Sequence, residues 1–111
     1  MSKEPTAEQP HLAAYPIDIG LVTITKGDPQ TDLWLEGTVN ADPAYSFSAK
    51  VYDLGSRYGI GGGRISKLEV RCRGVSVFHY DRGWDIRPQT DEQKRILAII
   101  LDAFAEPPVQ D

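Results

Sequence analysis

The alternation of apolar and polar residues along the chain predicts β-strands for most of its middle. The clearest alternating runs are Ile65–Cys72 and the stretch that begins at Val75. Only Arg73 and Gly74 separate these two runs. Period-two runs joined by a short loop with glycine predict an antiparallel hairpin, with either a two-residue turn or a bulged loop, because Arg-Gly is a weaker turn signal than Asn-Gly.

A two-residue turn also predicts the register of this hairpin. Val70 would lie opposite Val77 on an apolar face, because residues that are directly opposite share a face. Phe78 and Tyr80 would then lie on the other face, with Tyr80 opposite Lys67. That other face would be both charged and aromatic.

Three further segments precede the hairpin and have the β-branched or alternating character of strands. They are Ile17 to Thr25, Leu33 to Asn40 and Tyr45 to Asp53. The parity of the first segment shifts around Gly20, so its pattern does not indicate which face is buried.

The strand pattern ends at Pro88, and Thr90 begins a predicted helix. Thr90 and Gln93 fit a capping box, and apolar residues then recur at helical spacing. The predicted buried stripe is Ile96, Ile99, Ile100, Ala103 and Phe104. The fold class is therefore α+β: an antiparallel sheet of four to five strands with one C-terminal helix packed on one face. A single domain is expected over residues 15–106, with a disordered arm at 1–14 and a tail at 107–111.

A glycine-rich segment leads into the hairpin and allows two interpretations. Its glycines are Gly59, Gly61, Gly62 and Gly63, with Arg64 immediately after them. One interpretation is a phosphate-cradling loop. The favoured one is a wide connection or bulge, because phosphate loops lead into a helix and this segment leads into a strand.

A second compact motif follows the hairpin. Its residues are Asp81, Arg82, Gly83, Trp84 and Asp85. The two aspartates allow an acid/base pair or a cation site. Carboxylates that cap a turn or pair with arginines are favoured, since no further catalytic partner is evident. Trp84 is expected to cover the edge of the core.

These motifs resemble a known family. The segments YGIGGGRISKL and YDRGWD, with FSAKVYDLGS before them, are similar to small uncharacterised proteins of bacteria and their phages. The resemblance covers about Leu33 to Phe104. It implies a cytoplasmic domain encoded by a mobile element, and it brings no functional residues because the family has no assigned activity.

Composition adds limits. The chain has 111 residues and one cysteine, so it cannot form an internal disulfide, and no run is apolar enough to span a membrane. Two histidines at unrelated positions predict no metal site, and no cofactor is expected.

The charge is uneven along the chain. Residues 46–89 carry eight basic and four acidic side chains, whereas the whole chain has a net charge of −4. This basic middle is compatible with an anionic partner, although the acidic ends can equally neutralise it.

The sequence does not define an activity, but it predicts a binding surface on the sheet and the glycine segment. The candidate residues are Trp34, Lys50, Tyr52, Arg64, Lys67, Arg71, Phe78 and Tyr80. Aromatic and basic residues together are typical of protein interfaces and of sheets that bind single-stranded nucleic acid. They also occur on ordinary solvated faces. The prediction is a non-catalytic, cytoplasmic binding protein with a protein partner or a homodimer. The resemblance alone adds the expectation that it is an accessory or anti-defence factor of a phage or mobile element. The alternative is a module that binds nucleic acid or a nucleotide.

Overall fold

The computed structural model describes residues 16–41 and 43–105. These residues form one antiparallel sheet in which each strand pairs with the next along the chain. The strands are β1 Ile17–Ile19, β2 Val22–Lys26, β3 Trp34–Val39, β4 Tyr45–Val51, β5 Ile65–Cys72, β6 Val75–Asp81 and β7 Trp84–Ile86. One helix, α1 Asp91–Ala103, follows them. The predicted arm at 1–14 and tail at 107–111 lie outside the described residues.

The α+β class and the C-terminal helix are confirmed, but the sheet has seven strands rather than four or five. The predicted strand Ile17 to Thr25 is two strands, because Gly20 adopts a φ of +60° and reverses the chain between them. At the other end, Arg82 also has a positive φ, +56°, and the reversal there adds β7. Both extra strands have only three residues, too few for alternation to stand out in the sequence.

The hairpin of β5 and β6 has the predicted turn but not the predicted register. Arg73 and Gly74 have φ of +54° and +80°, as a two-residue turn requires. After Ser76 the register shifts, and Val70 pairs with Phe78 rather than with Val77. Val77 is therefore the extra residue of a β-bulge.

The bulge makes the predicted placement of Phe78 and Tyr80 wrong. They lie on the buried face and are 0% and 7% exposed, whereas His79 takes a position on the opposite face. A one-residue slip moves every later side chain to the other face of a strand. Here the slip places Phe78 and Tyr80 in the core instead of Val77 and His79. The two aromatic rings remove more apolar surface from water than the valine and histidine would.

The helix begins and packs as its sequence predicts. The Thr90 side chain accepts a hydrogen bond from the Gln93 amide at 3.0 Å, while the Gln93 side chain accepts from the Gln89 amide rather than from that of Thr90. Ile96, Ile100 and Phe104 are buried against the sheet, and the Phe104 ring meets Phe47 edge-on with 6.3 Å between ring centroids. The sheet therefore has one face covered by α1, and the opposite face is called the open face below.

Tyr45 connects this core to the first turn of the helix. Its side chain is buried at the start of β4, and its hydroxyl donates to the Glu92 carboxylate at 3.0 Å. Burial, followed by this hydrogen bond to Glu92, raises the pKa of Tyr45 to about 12 from its ordinary value of 10.

We expect this raised pKa to make stability fall at high pH. The folded state holds the phenol proton more tightly than the unfolded state does, so the contribution is complete below pH 10 and is lost as the pH rises to about 12. Two pKa units correspond to at most about 3 kcal/mol. Urea unfolding at a series of pH values from 9 to 12 should show this loss in the wild type and a much smaller one in Tyr45→Phe. Equal slopes for the two proteins would contradict it.

Within residues 16–41 and 43–105, no helix is both long enough and apolar enough to cross a bilayer. Among the same residues, no three His, Cys, Asp or Glu side chains come together in a way that could hold a metal ion.

Candidate functional site

A cleft of about 560 Å³ opens at one end of the open face. This volume is within the range of about 300–1,000 Å³ that is usual for ligand sites. The end of β4, the residues between Tyr52 and Tyr58 that follow it, the start of β5 and the turn between β6 and β7 all contribute to it. It is lined by Leu33, Lys50, Tyr52, Asp53, Leu54, Ser56, Tyr58, Ser66, Lys67 and Arg82.

Strand pairing brings the two lysines of the cleft together. Lys50 on β4 lies directly opposite Lys67 on β5, and Lys50 is also opposite Trp34 on β3. The Lys67 ammonium is 3.7 Å from the Asp81 carboxylate. The Lys50 ammonium instead lies 5.4 Å from the centroid of the Tyr52 ring. Like charges on opposite residues repel each other. Only Lys67 has a carboxylate beside it, so the charge of Lys50 leaves the cleft positive.

A third cation, Arg82, lies next to a bulge in β5. Lys50 pairs with Lys67 but Val51 pairs with Ile65, so Ser66 is the extra residue. The Ser66 carbonyl accepts a hydrogen bond from the Arg82 amide at 2.8 Å, which holds the β6–β7 turn beside the cleft. The Arg82 guanidinium then lies 5.3 Å from the Tyr58 ring centroid.

The side chain of Ser66 is itself unusual. It is only 3% exposed, yet its residue lines the cleft. Within the part of the chain that the structure describes, its hydroxyl makes no hydrogen bond. A buried hydroxyl without a partner costs free energy, so a bound group or water that supplied one would be favoured here.

The glycine segment closes on itself between β4 and β5. The amides of Gly59, Gly62 and Gly63 donate to carbonyls within the segment, and the Ser56 amide donates to Gly63 at 3.2 Å. From the sheet, the Tyr80 hydroxyl donates to the Tyr58 carbonyl at 2.8 Å. Amides that are engaged in this way do not point at a ligand, so the geometry favours a connection over a phosphate cradle.

Arg64 is not a surface residue, and its predicted place on the binding surface is wrong. It is only 9% exposed, with its Nε donating to the Tyr52 carbonyl at 2.8 Å and one terminal nitrogen donating to the Phe104 carbonyl at 3.2 Å. Burial lowers its pKa, while the charge of Asp53 opposes this shift. Arg64 thus joins the last turn of α1 to the segment that forms the cleft wall.

The other predicted residues divide between the cleft and the rest of the sheet. Trp34 is exposed beside the cleft, and Lys50, Tyr52 and Lys67 line it. Arg71 lies on the open face, where it donates to Glu69 and Ser48.

Trp84 packs over the buried aromatic residues of β6, as expected for a residue that covers the core edge. Its ring centroid is 5.0 Å from that of Tyr80 and 6.3 Å from that of Phe78. The two aspartates of the same motif have different partners. Asp81 pairs with Lys67, and Asp85 lies 3.1 Å from Nδ1 of His79.

Several cleft residues were not predicted, and they have a common signal. Leu54 and Tyr58 follow β4 without the alternation of a strand, yet both are large, exposed and apolar or aromatic. Large apolar side chains in a glycine-rich connection are candidates for contact with a ligand, because the connection cannot bury them itself. Arg82 was assigned only a role in its own turn, and its contact with Tyr58 joins two separate connections of the chain.

The fold and the cleft define a small α+β domain with a meandering antiparallel sheet and a basic cleft at one end. Residues 33–105 match the model of a family described as a domain of unknown function, DUF7678, and the chain belongs to this family. The matched range contains every residue of the cleft and excludes β1 and β2. No curated protein and no solved structure matches the chain.

Proposed function

We propose that this domain is a non-catalytic binding protein that contacts another protein through the cleft and its apolar rim. One observation carries the proposal. Among the described residues, eight large hydrophobic side chains are exposed, and five of them lie at the cleft or directly beside it. These five are Leu33, Trp34, Tyr52, Leu54 and Tyr58. Apolar side chains grouped in this way on a soluble domain are typical of interaction sites.

The geometry supports a protein partner more than a nucleic acid. A sheet that reads single-stranded nucleic acid stacks bases on exposed aromatic rings, but Phe78 and Tyr80 are buried. Of the rings at the cleft, Tyr52 has Lys50 over it, and Tyr58 has two arginines near its ring, within 5.3 Å of the centroid. A base that stacked there would displace these cations.

The arrangement of polar residues supports a non-catalytic role. Asp81 and Asp85 are each paired with a different cation or imidazole, so they do not form an acid/base pair. Ser48 and His79 lie on the same face, but β5 stands between their strands. Two strand spacings are about 10 Å, which is too far for a serine to donate a proton to a histidine.

The test is affinity capture from a bacterial lysate treated with nuclease. Leu54→Ser and Trp34→Ser should each abolish capture of a partner protein that the wild type retains. Val75→Ser is the matched control, because Val75 is equally exposed but lies at the opposite end of the sheet. The resemblance to bacterial and phage proteins supports a bacterial lysate as the source and a cytoplasmic partner.

Three outcomes would contradict the proposal. They are loss of capture in Val75→Ser alone, retention of the partner by both cleft variants, and recovery of nucleic acid alone from a sample without nuclease. The last result would favour the nucleic-acid alternative, which depends on Lys50, Lys67 and Arg82. Capture of a second copy of this chain, if lost on the same substitutions, would show that the protein acts as a homodimer.

A further inference from the structure

The charges of the cleft are not balanced within it. Lys50 and Arg82 contact tyrosine rings but have no carboxylate within 4 Å among the described residues. Lys67 has Asp81, at 3.7 Å. Asp53 is the one acid in the cleft wall, and its charge acts on the buried Arg64 behind that wall. Two cations therefore lack an anion, on a chain whose net charge is −4.

The apolar groups of the cleft are placed beside these cations. Leu33 immediately precedes β3, and Leu54 follows β4 by three residues with 74% of its surface exposed. The burial of one such leucine side chain stabilises a complex more than an exposed ion pair does. Affinity from this cleft would therefore come mainly from apolar contact, and its selectivity from charge.

We propose that the cleft binds an acidic segment of a partner protein that carries at least one large apolar side chain. This inference rests on the proposed function and adds the chemistry of the partner. Carboxylates of the segment pair with Lys50 and Arg82, while the apolar side chain packs against Leu33 and Leu54. The unpartnered hydroxyl of Ser66 supplies a further polar contact at the base of the cleft.

Two other anions fit these observations less well. An oligonucleotide would satisfy the cations but would leave the leucines without a partner, and its bases would compete with the cations for the tyrosine faces. A free phosphate would use only the charge and would leave most of about 560 Å³ unfilled. An acidic segment with an apolar side chain uses both properties of the cleft.

The test is selection of a random twelve-residue peptide library on the immobilised full-length protein. The enriched peptides are expected to contain Asp or Glu within about three positions of Leu, Ile, Phe, Met or Trp. The strongest peptide is then measured by fluorescence polarisation beside its counterpart with Asn and Gln in place of Asp and Glu. The counterpart should bind at least about tenfold more weakly, because it lacks the ion pairs.

The protein variants provide the matched comparison. The double variant Lys50→Gln and Arg82→Gln should weaken binding of the acidic peptide at least about tenfold. The double variant Lys94→Gln and Arg95→Gln removes the same two side-chain types from the exposed surface of α1 and should bind as the wild type does. Thermal unfolding of both double variants verifies that they are folded.

The inference is overturned if the selection enriches no peptide, or enriches peptides without acidic residues. It is equally overturned if the Lys50 and Arg82 variant binds as well as the control, or if a single-stranded oligonucleotide binds and the peptides do not. The proposed function is judged separately by capture. A protein partner lost on Leu54→Ser, together with failure of the acidic peptides, would leave that function standing and remove only the acidic chemistry.

Discussion

Replacing Arg64 by methionine is expected to lower the free energy of unfolding by about 3 kcal/mol. The substitution keeps much of the side-chain volume but removes the donors to the carbonyls of Tyr52 and Phe104, at 2.8 and 3.2 Å. A hydrogen bond from a charged group contributes about 1.5–3 kcal/mol, and a buried acceptor left without a donor costs a similar amount. The melting temperature should fall by more than about 10 °C for a domain of this size.

Arg64→Lys is the matched control, because it retains the positive charge. One ammonium cannot reproduce a planar group whose nitrogens donate to two carbonyls on different elements. We therefore expect the free energy of unfolding of Arg64→Lys to lie between those of the wild type and Arg64→Met. Urea unfolding at neutral pH measures all three. If Arg64→Met proved as stable as the wild type, the hydrogen bonds of Arg64 between the helix end and the cleft wall would not contribute to stability.

The parts of the fold that could be predicted depend on local signals. The turn at Arg73 and Gly74 and the cap at Thr90 need only adjacent residues, and both have the predicted geometry. The core positions of β3 and β4 also follow from simple alternation, because each of these strands keeps one parity along its length. In β5 the alternation holds only after Ser66, where Leu68 and Val70 are buried. The C-terminal helix and its buried stripe follow from helical spacing in the same way.

The register of β6 could not be predicted from its turn alone. Two apolar residues in succession, Val77 and Phe78, mark the place where parity changes, but an adjacent apolar pair also occurs in strands without a bulge. What decides between the registers is the burial of Phe78 and Tyr80 beside Trp84, a contact between separate elements. The choice therefore depends on packing that no single strand reveals.

The cleft could be predicted only in part for the same reason. Lys50 and Lys67 were predicted on the polar face from alternation, and the pairing of β4 with β5 sets them opposite each other. Arg64 was taken for a surface cation because it follows a glycine run, and its burial depends on two carbonyls about 12 and 40 positions away. Arg82 lies beside the site because the β6–β7 turn follows directly on the pairing of Lys67 with Asp81, and its amide donates to the Ser66 carbonyl. Its contact with Tyr58 joins two separate connections, so neither connection alone predicts it.

The glycine segment gives the second large effect, at Gly59. A Cβ atom at this position would overlap the Gly63 carbonyl oxygen and would lie 2.7 Å from the carbonyl carbon. Both atoms belong to the backbone, so no side-chain rotation relieves the overlap. Gly59 itself has an ordinary φ of −81°, which means that the required glycine reflects close approach and not backbone conformation.

We expect Gly59→Ala to lower the free energy of unfolding by about 3 kcal/mol, at the upper end of the cost of overpacking. Gly61→Ala meets no atom within 4 Å but requires a φ of +60°, and should cost about 1–2 kcal/mol. Gly83→Ala meets neither obstacle and is the control, with a change within about 0.5 kcal/mol. Urea unfolding of the three variants should give the order Gly59, Gly61, Gly83. If Gly61→Ala were less stable than Gly59→Ala, positive φ, and not the close contact with Gly63, would be the main reason that the segment requires glycine.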